Sequence, residues 1–525
     1  MNATAKPDQG AVCTPHPLAT EAGLDILHRG GTAAEAAVAA GAVLTVVYPH
    51  FCGLGGDGVW MLSDTNGLRS CVLGIGQAAQ AVPTGEDAIP QRGPGSMLTT
   101  AGLVPSWDSL LDLSKGRWQG RMPLTELLSA AITYATSGFP VSTSQGFWLD
   151  YRAREHCNWP GFGAAFVRNG TLLKPGATFC QPGLARILIQ LATEGLETFR
   201  TGSVAAEIAD GLRAAGSPIT AADLAATRAR TVAPLSLRSG DWTLYAPPPP
   251  TQGATTLLIQ ALLDRVLKTA SGETTPATLL HAQVEATKQA FLHRRPFADP
   301  DFSDQSRALP DTATMDEMAR RISLREALPW PEVFQPADTV YLAVSDEAGR
   351  CVSGLQSTYF DWGSGVPVGE TGILWHNRGA AFDTNPRSPN RMRPGKRPFH
   401  TLNPGFAVND TGETVLYGTQ GADGQPQTLT VLLHKLLNEG VDVGDALNAP
   451  RFLLGRTFSD KRDTLKVEET VGADVLNELR SLGHRVSTLP PLSPLAGQAG
   501  VIRNAPDGSK YAGHDPRGDG TAGAV

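Results

Sequence analysis

The sequence predicts an α+β fold, with helices and sheets stacked in layers. Three observations carry that reading. Most of the first 330 residues show helical apolar spacing, Pro329 and Pro331 break the pattern, and the residues beyond them read as short strands separated by turns. The strand-rich part opens on a hairpin, "PADTVYLAVSDEAGRCVSGLQSTY", from Pro336 to Tyr359. Val340, Leu342 and Val344 alternate with Tyr341, Ala343 and Ser345. Glu347-Ala348-Gly349-Arg350 supplies the turn, and Val352 to Tyr359 returns.

The elements follow in order. Leu18 to Leu27 has helical spacing and stops at Gly30-Gly31. Thr32 and Glu35 form a capping box for an Ala-rich helix that runs to about Val47, and Pro49 closes it. "CGLGGDGVWMLSD" then gives a glycine bend and a strand. Leu124 to Thr136, Leu184 to Glu194, Ser203 to Ala215, Thr256 to Leu267 and Leu279 to Arg295 are further helices. Pro247 to Pro250 with Thr251-Gln252-Gly253 is a rigid, turn-rich segment. In the second part "GILWHN", "FAVND", "VLYGTQ" and "GVIRNA" read as strands, with helices at Thr428 to Glu439 and Asp474 to Leu482.

Composition narrows the function class. With 525 residues, 41% hydrophobic and 18% charged, the chain has the profile of an ordinary globular protein. A net charge of -7 gives no reason to expect nucleic acid or a membrane surface as partner. The N-terminus has no signal-peptide pattern and no stretch is apolar for the length of a membrane span, so the expectation is a cytoplasmic protein. The six cysteines (Cys13, Cys52, Cys71, Cys157, Cys180, Cys351) are scattered and form no metal-type spacing.

Four features bear on chemistry. "GLGGDG", Gly53 to Gly58, follows a helix and precedes a strand, the reverse of a phosphate-binding loop, and reads as a tight bend. His281 and Glu285 lie one helical turn apart, but no further metal-ligand partner is evident, so a polar contact is expected and no metal or cofactor. A Gly-x-Ser-x-Gly elbow is missing. Thr339 is the fourth. As an internal residue it is an ordinary strand starter. Cut free at its amino side, it carries a hydroxyl and an α-amine with pKa about 7.7–8.0 in one residue, so nucleophile and base come together.

The whole pattern resembles the γ-glutamyltranspeptidase family of N-terminal-nucleophile hydrolases. The motifs are "ILHRGGTAAEAAVAAGAVLTVVYPHFCGLGGDGVWML", "LLSAAITYATSGFPVS", "GSPITAADLAATRAR", "PPPPTQGA", "ADPDF", "PGKRP", "NAPRF" and "HDPRGDGTAG", spread from about Gly10 to Gly523. The resemblance implies a four-layer αββα sandwich. It implies self-cleavage between Asp338 and Thr339 into a large segment, 1–338, and a small one, 339–525, which form one domain and can pair as a dimer of heterodimers. It further implies Thr339 as nucleophile, Ser357 as its supporting hydroxyl, and the N–H groups of Gly421-Ala422 as oxyanion hole.

The substrate pocket departs from the family pattern. Ile75, in "VLGIGQAAQ", stands near the place of the Arg that holds a γ-glutamyl α-carboxylate. Ala381, in "NRGAAF", stands for the Asp that holds the α-amine, and a serine pair becomes His400-Thr401. "VVYPH", "GLGGDG", "ADTVY", "LQSTY" and "GTQGADGQPQT" are similar to the oxamate-hydrolysing subgroup of the family. A small acidic amide such as oxamate is therefore the expected substrate. Arg378 is its cation, His400 and Thr401 are polar lining, and Arg393 and Arg397 are alternative cations. Gln425 and Gln427 are candidate loop anchors. γ-Glutamyl transfer, glutathione hydrolysis and cephalosporin-type acylation are the competing activities, and an uncleaved binding protein is the non-enzymatic alternative.

Overall fold

The structure is a computed structural model, and it describes residues 2–6, 9–83, 88–156, 159–168, 170–269, 274–304, 308–330, 338–455 and 463–525. Two seven-stranded antiparallel sheets face each other. The first runs Thr521–Ala524, Ala11–Thr14, Asp338–Ser345, Cys351–Tyr359, Asp57–Ser63, Arg69–Gly74, Arg230–Val232. The second runs Asn2–Ala5, Lys510–His514, Ala499–Asn504, Thr414–Thr419, Gly405–Asn409, Trp242–Ala246, Leu235–Ser239. Each sheet therefore draws strands from both sides of residue 338.

Alternation decides what lies between the sheets. Val59, Met61, Tyr341, Ala343 and Leu355 of the first sheet meet Phe406, Leu416 and Ile502 of the second. The glycine at 418 admits the Tyr341 ring, since a Cβ there would lie 2.2 Å from a ring carbon. Helices cover the outer faces. Pro17–His28, Ala33–Val47 and Leu103–Arg117 lie on the first sheet; Gly253–Thr269 and Gly424–Leu433 lie on the second, with Pro276–His293 packed behind. The architecture is the α+β, four-layer αββα sandwich that the sequence implied.

Local chemistry sets the elements. Thr32 and Glu35 make the expected capping box, and every residue of Ala33–Val47 is buried. A helix apolar nearly all round is the kind that sits fully inside a core. The hairpin, the glycine bend and the late helices fall where expected. "GILWHN" does not form a strand. Its backbone bonds scatter: Val368 donates to Ile373, His376 to Gly55, and Asn377 to Thr358. What read as a short strand is a loop that bonds to three separate neighbours.

The cysteines at 13, 52, 71, 180 and 351 are free thiols, and Cys157 lies outside the described residues. No described helix is long and apolar enough to cross a membrane.

Candidate active site

The hairpin register is irregular where chemistry was expected. Asp338 pairs with Tyr359 and Val340 with Gln356, so Thr339 faces two residues, Ser357 and Thr358. That is a β-bulge on the return strand, a device that re-aims side chains. Thr339 is fully buried, and its Oγ1 has no hydrogen-bond partner among the described residues. Ser357 Oγ accepts the Tyr359 N–H at 2.8 Å. The Asp338 backbone opens the strand, while its side chain and residues 331–337 lie outside the described part. Behind the return strand the glycine bend packs closely: a Cβ at Gly56 would lie 2.5 Å from the Ser357 carbonyl oxygen.

Asp57 follows the bend and pairs in register with Ser357. Its Oδ1 accepts the N–H groups of Gly76 and Gly102, each at 2.9 Å. Its Oδ2 accepts His400 Nε2 at 3.1 Å and lies 3.5 Å from His376 Nδ1. Burial alone would raise the pKa of this carboxyl, but His376 and His400 outweigh it and hold it well below the usual range. His400 Nδ1 accepts the Leu402 N–H at 3.3 Å, so both ring nitrogens are engaged beneath the site. Burial and the Arg378 charge push its pKa down to about 4, and the ring is neutral. Thr401 beside it is buried, and its hydroxyl has no hydrogen-bond partner among the described residues.

Depressed histidines make stability depend on pH. His16, His400 and His514 are each lowered to about 4, chiefly by burial. Between the ordinary value near 6.5 and that folded value, the unfolded chain binds protons that the folded one refuses. Stability is thus lost as pH falls through this window. Each ring costs at most about 2 kcal/mol at pH 5. Calorimetry should show Tm falling from pH 7.5 to pH 5; an unchanged or higher Tm would contradict the assignment.

Arg378 is 1% exposed, and none of its three guanidinium nitrogens has a partner among the described residues. Burial lowers its pKa to about 10, so it remains a cation at neutral pH. The Tyr359 ring covers one face, with its centroid 3.8 Å from Cζ. Arg397, an alternative cation, is bound to Asp299 through Nε at 3.1 Å and Nη2 at 2.5 Å. Ile75 lies in the core between the sheets, and Ala381 packs beside Tyr359, Phe360 and Ala422.

Gly421 (φ +113) and Ala422 (φ +46) form the turn before the helix Gly424–Leu433. Neither N–H donates to a protein acceptor among the described residues. The turn is held by its carbonyls. Gln252 Nε2 donates to Ala422 O at 2.8 Å and to Thr401 O at 2.7 Å. Arg294 Nη1 orients that amide through Oε1 at 2.9 Å and binds Asp423 at 2.7 Å. One side chain therefore ties the turn to the Thr401 wall. Gln427 accepts the Leu454 N–H at 2.7 Å and so ties its helix to the strand Phe452–Leu454, whereas the buried Gln425 amide has no partner among the described residues. A cleft of about 480 Å³ opens here, lined by Tyr359, Ala381, Thr401, Arg294 and Phe399.

The sequence reading did not single out Asp57, Gln252, Arg294 or Tyr359 as site residues. Asp57 had a signal: a carboxylate at the head of a buried strand must find partners.

His281, Glu285 and His484 bring potential metal-ligand atoms within 4.8 Å of one another. His484 is a third residue that the helical spacing could not supply. The groups engage one another and their neighbours: His281 bonds His484 at 2.7 Å and the Ser323 carbonyl at 2.7 Å, and Lys288 pairs with Glu285 at 2.7 Å.

A sequence profile described as gamma-glutamyltranspeptidase matches residues 19–525. The oxamate amidohydrolase proenzyme of Klebsiella pneumoniae is 40% identical over 530 residues, covering 99% of each chain. The glutathione hydrolase-like YwrD proenzyme of Bacillus subtilis is 37% identical over 530 residues, again covering 99% of each. Among solved structures, cephalosporin acylase from Bacillus halodurans superposes with a TM-score of 0.88 at 29% identity, over 99% of this chain and 96% of that one.

Proposed function

The chain belongs to the γ-glutamyltranspeptidase family of amide hydrolases, and on that premise we propose that it is a self-processing amidohydrolase acting on a small acidic amide, with oxamate as substrate. The observation that carries the substrate class is Arg378, a buried cation with no hydrogen-bond partner among the described residues, in the segment that follows the hairpin. A desolvated guanidinium calls for a carboxylate, which its planar fork can bind through two N–H bonds.

The mechanism follows from the residues. Cleavage before Thr339 frees its α-amine, which takes the Oγ1 proton while Oγ1 attacks the amide carbon. The N–H groups of Gly421 and Ala422 receive the oxyanion. The proton passes to the leaving nitrogen, the C–N bond breaks and ammonia departs, leaving an ester on Thr339. Water, deprotonated by the same amine, attacks the ester; the C–O bond breaks, oxalate leaves and the hydroxyl is restored. The unpaired Thr339 hydroxyl and the unspent N–H groups of the turn support these roles. The reaction as written uses no cofactor. We place the mature protein in the cytoplasm as a heterodimer of segments 1–338 and 339–525.

The γ-glutamyl alternative needs a cation and an anion where Ile75 and Ala381 stand. Losing one partner of a desolvated charge costs about 2–5 kcal/mol, roughly 30- to 4,000-fold. We expect kcat/KM for oxamate, read as ammonia release, to exceed that for γ-glutamyl-p-nitroanilide by a factor in that range. A clear preference for the anilide would install the transferase reading instead.

A further inference from the structure

Tyr359 lies against the Arg378 guanidinium and shares a small apolar cluster with Ala422 of the proposed oxyanion turn. Its ring covers a face of the Arg378 guanidinium at 3.8 Å and packs in the same small cluster as Ala422, Ala380 and Ala381. It stacks on Phe360 with centroids 4.4 Å apart and is itself 2% exposed. Its backbone stands at φ +82, a left-handed conformation that a bulky side chain rarely takes. Four contacts hold it there. The Tyr359 N–H donates to Ser357 Oγ at 2.8 Å, the Phe360 N–H donates to Asn377 Oδ1 at 3.1 Å, and Asp361 receives Arg92 at 2.7 Å and Arg152 at 2.8 Å. The ring borders the cleft, and the guanidinium lies buried behind it.

We propose that Tyr359 is the specificity-determining residue that sets how far the substrate carboxylate lies from the scissile carbonyl. This rests on the reading of Arg378 as the carboxylate cation and of Gly421-Ala422 as the oxyanion turn. With one face of the cation covered by the ring, the in-plane edge of the fork is the side that offers a carboxylate two N–H bonds. A ring that lies on the fork and shares a cluster with Ala422 of the turn would hold the span between them short, and on this proposal the span is that of a carboxylate and a carbonyl on adjacent carbons. The substrate class is then amides whose scissile carbonyl is bonded directly to a carboxylate. Each added methylene would push the reacting carbon off the turn or the carboxylate off the fork. The phenol is neutral, its pKa pushed up to about 12 mainly by burial, so the ring adds no charge to compete with the substrate.

The test uses the self-cleaved protein and three amides with the carboxylate progressively farther from the carbonyl: oxamate, malonamate and succinamate. Wild type ranks oxamate first. Tyr359→Gly accepts the φ without strain and removes the wall. It should shift the ratio of kcat/KM values toward the longer acids by roughly 10- to 100-fold, the worth of a methylene in a shaped pocket. Tyr359→Phe keeps the ring and should keep the ranking even where its absolute efficiency drops. A purely structural role would lower all three substrates together. If the glycine variant stays uncleaved, Tyr359→Leu, which retains bulk against Ala422, is measured with the same amides and should shift in the same direction. An unchanged ranking in the glycine variant, or in the leucine variant where that replaces it, overturns the proposal. A wild type that does not prefer oxamate, or an Arg378→Leu variant that is unimpaired, fails the underlying reading instead, and the two failures are distinct.

Discussion

Thr339→Ala is expected to leave a single 55.3 kDa chain with no turnover, whereas wild type separates into two fragments. Dividing that mass in proportion to 338 and 187 of 525 residues gives about 36 and about 20 kDa. The loss should be roughly 10⁴- to 10⁶-fold, the range for removing a nucleophile that acts as a unit with its base. The alanine takes away a buried hydroxyl that no described protein group uses, together with the γ-methyl beside it. Folding should therefore survive, at a cost of about 1 kcal/mol for the lost buried methyl. Thr339→Ser retains a hydroxyl and an amine and should still cut itself and turn over, more slowly. Electrophoresis and ammonia release read both results. A wild-type chain that remains full length yet hydrolyses oxamate would end the mechanism, because the amine would still be an amide nitrogen.

Arg378→Leu carries the second large effect, and it has two signs. Catalytic efficiency for an acidic amide should fall roughly 30- to 4,000-fold, the worth of about 2–5 kcal/mol for one half of a desolvated charge pair. Self-cleavage should proceed, since it uses Thr339 and its immediate surroundings. Stability of the unliganded protein should rise by about 1 kcal/mol or more, because a buried cation without a hydrogen-bond partner among the described residues gives way to an apolar side chain. Arg378→Lys should recover only part of the efficiency, as an ammonium lacks the fork. A structural arginine would give the opposite thermal result. If the leucine variant melts lower and hydrolyses oxamate normally, the carboxylate is held elsewhere.

How much of this was legible beforehand depends on the range of the interaction. The hairpin, the capping box at Thr32 and the glycine bend are local patterns, and the chain displays them openly. The bulge opposite Thr339 is not visible, because Ser357 and Thr358 both suit a strand and nothing marks one of them as extra. Arg378 could be placed by its motif. Its want of a hydrogen-bond partner among the described residues is a property of everything around it, and no window of sequence contains that. "GILWHN" misled for the converse reason: its apolar run is real, but its backbone bonds are shared among separate segments. Gln252 sat inside a quoted motif, yet its two carbonyl partners lie 149 and 170 residues away.

The strand order has a consequence for how such an enzyme can be made. In the first sheet Asp338–Ser345 lies between Ala11–Thr14 and Cys351–Tyr359, and the outermost strand beyond Ala11–Thr14 is Thr521–Ala524. A cut before Thr339 would leave two pieces knitted like laced fingers. Neither piece holds a complete sheet, so neither has a core to fold around alone. Separation would mean pulling strands out of both sheets at once, which makes the nick effectively irreversible without making the enzyme fragile. The bond before Thr339 is then a scaffold tie. It keeps the halves at high mutual concentration while the sheets form, and it becomes dispensable once they have. Expressing 1–338 and 339–525 from separate messages would remove that tie at the only stage when it is needed.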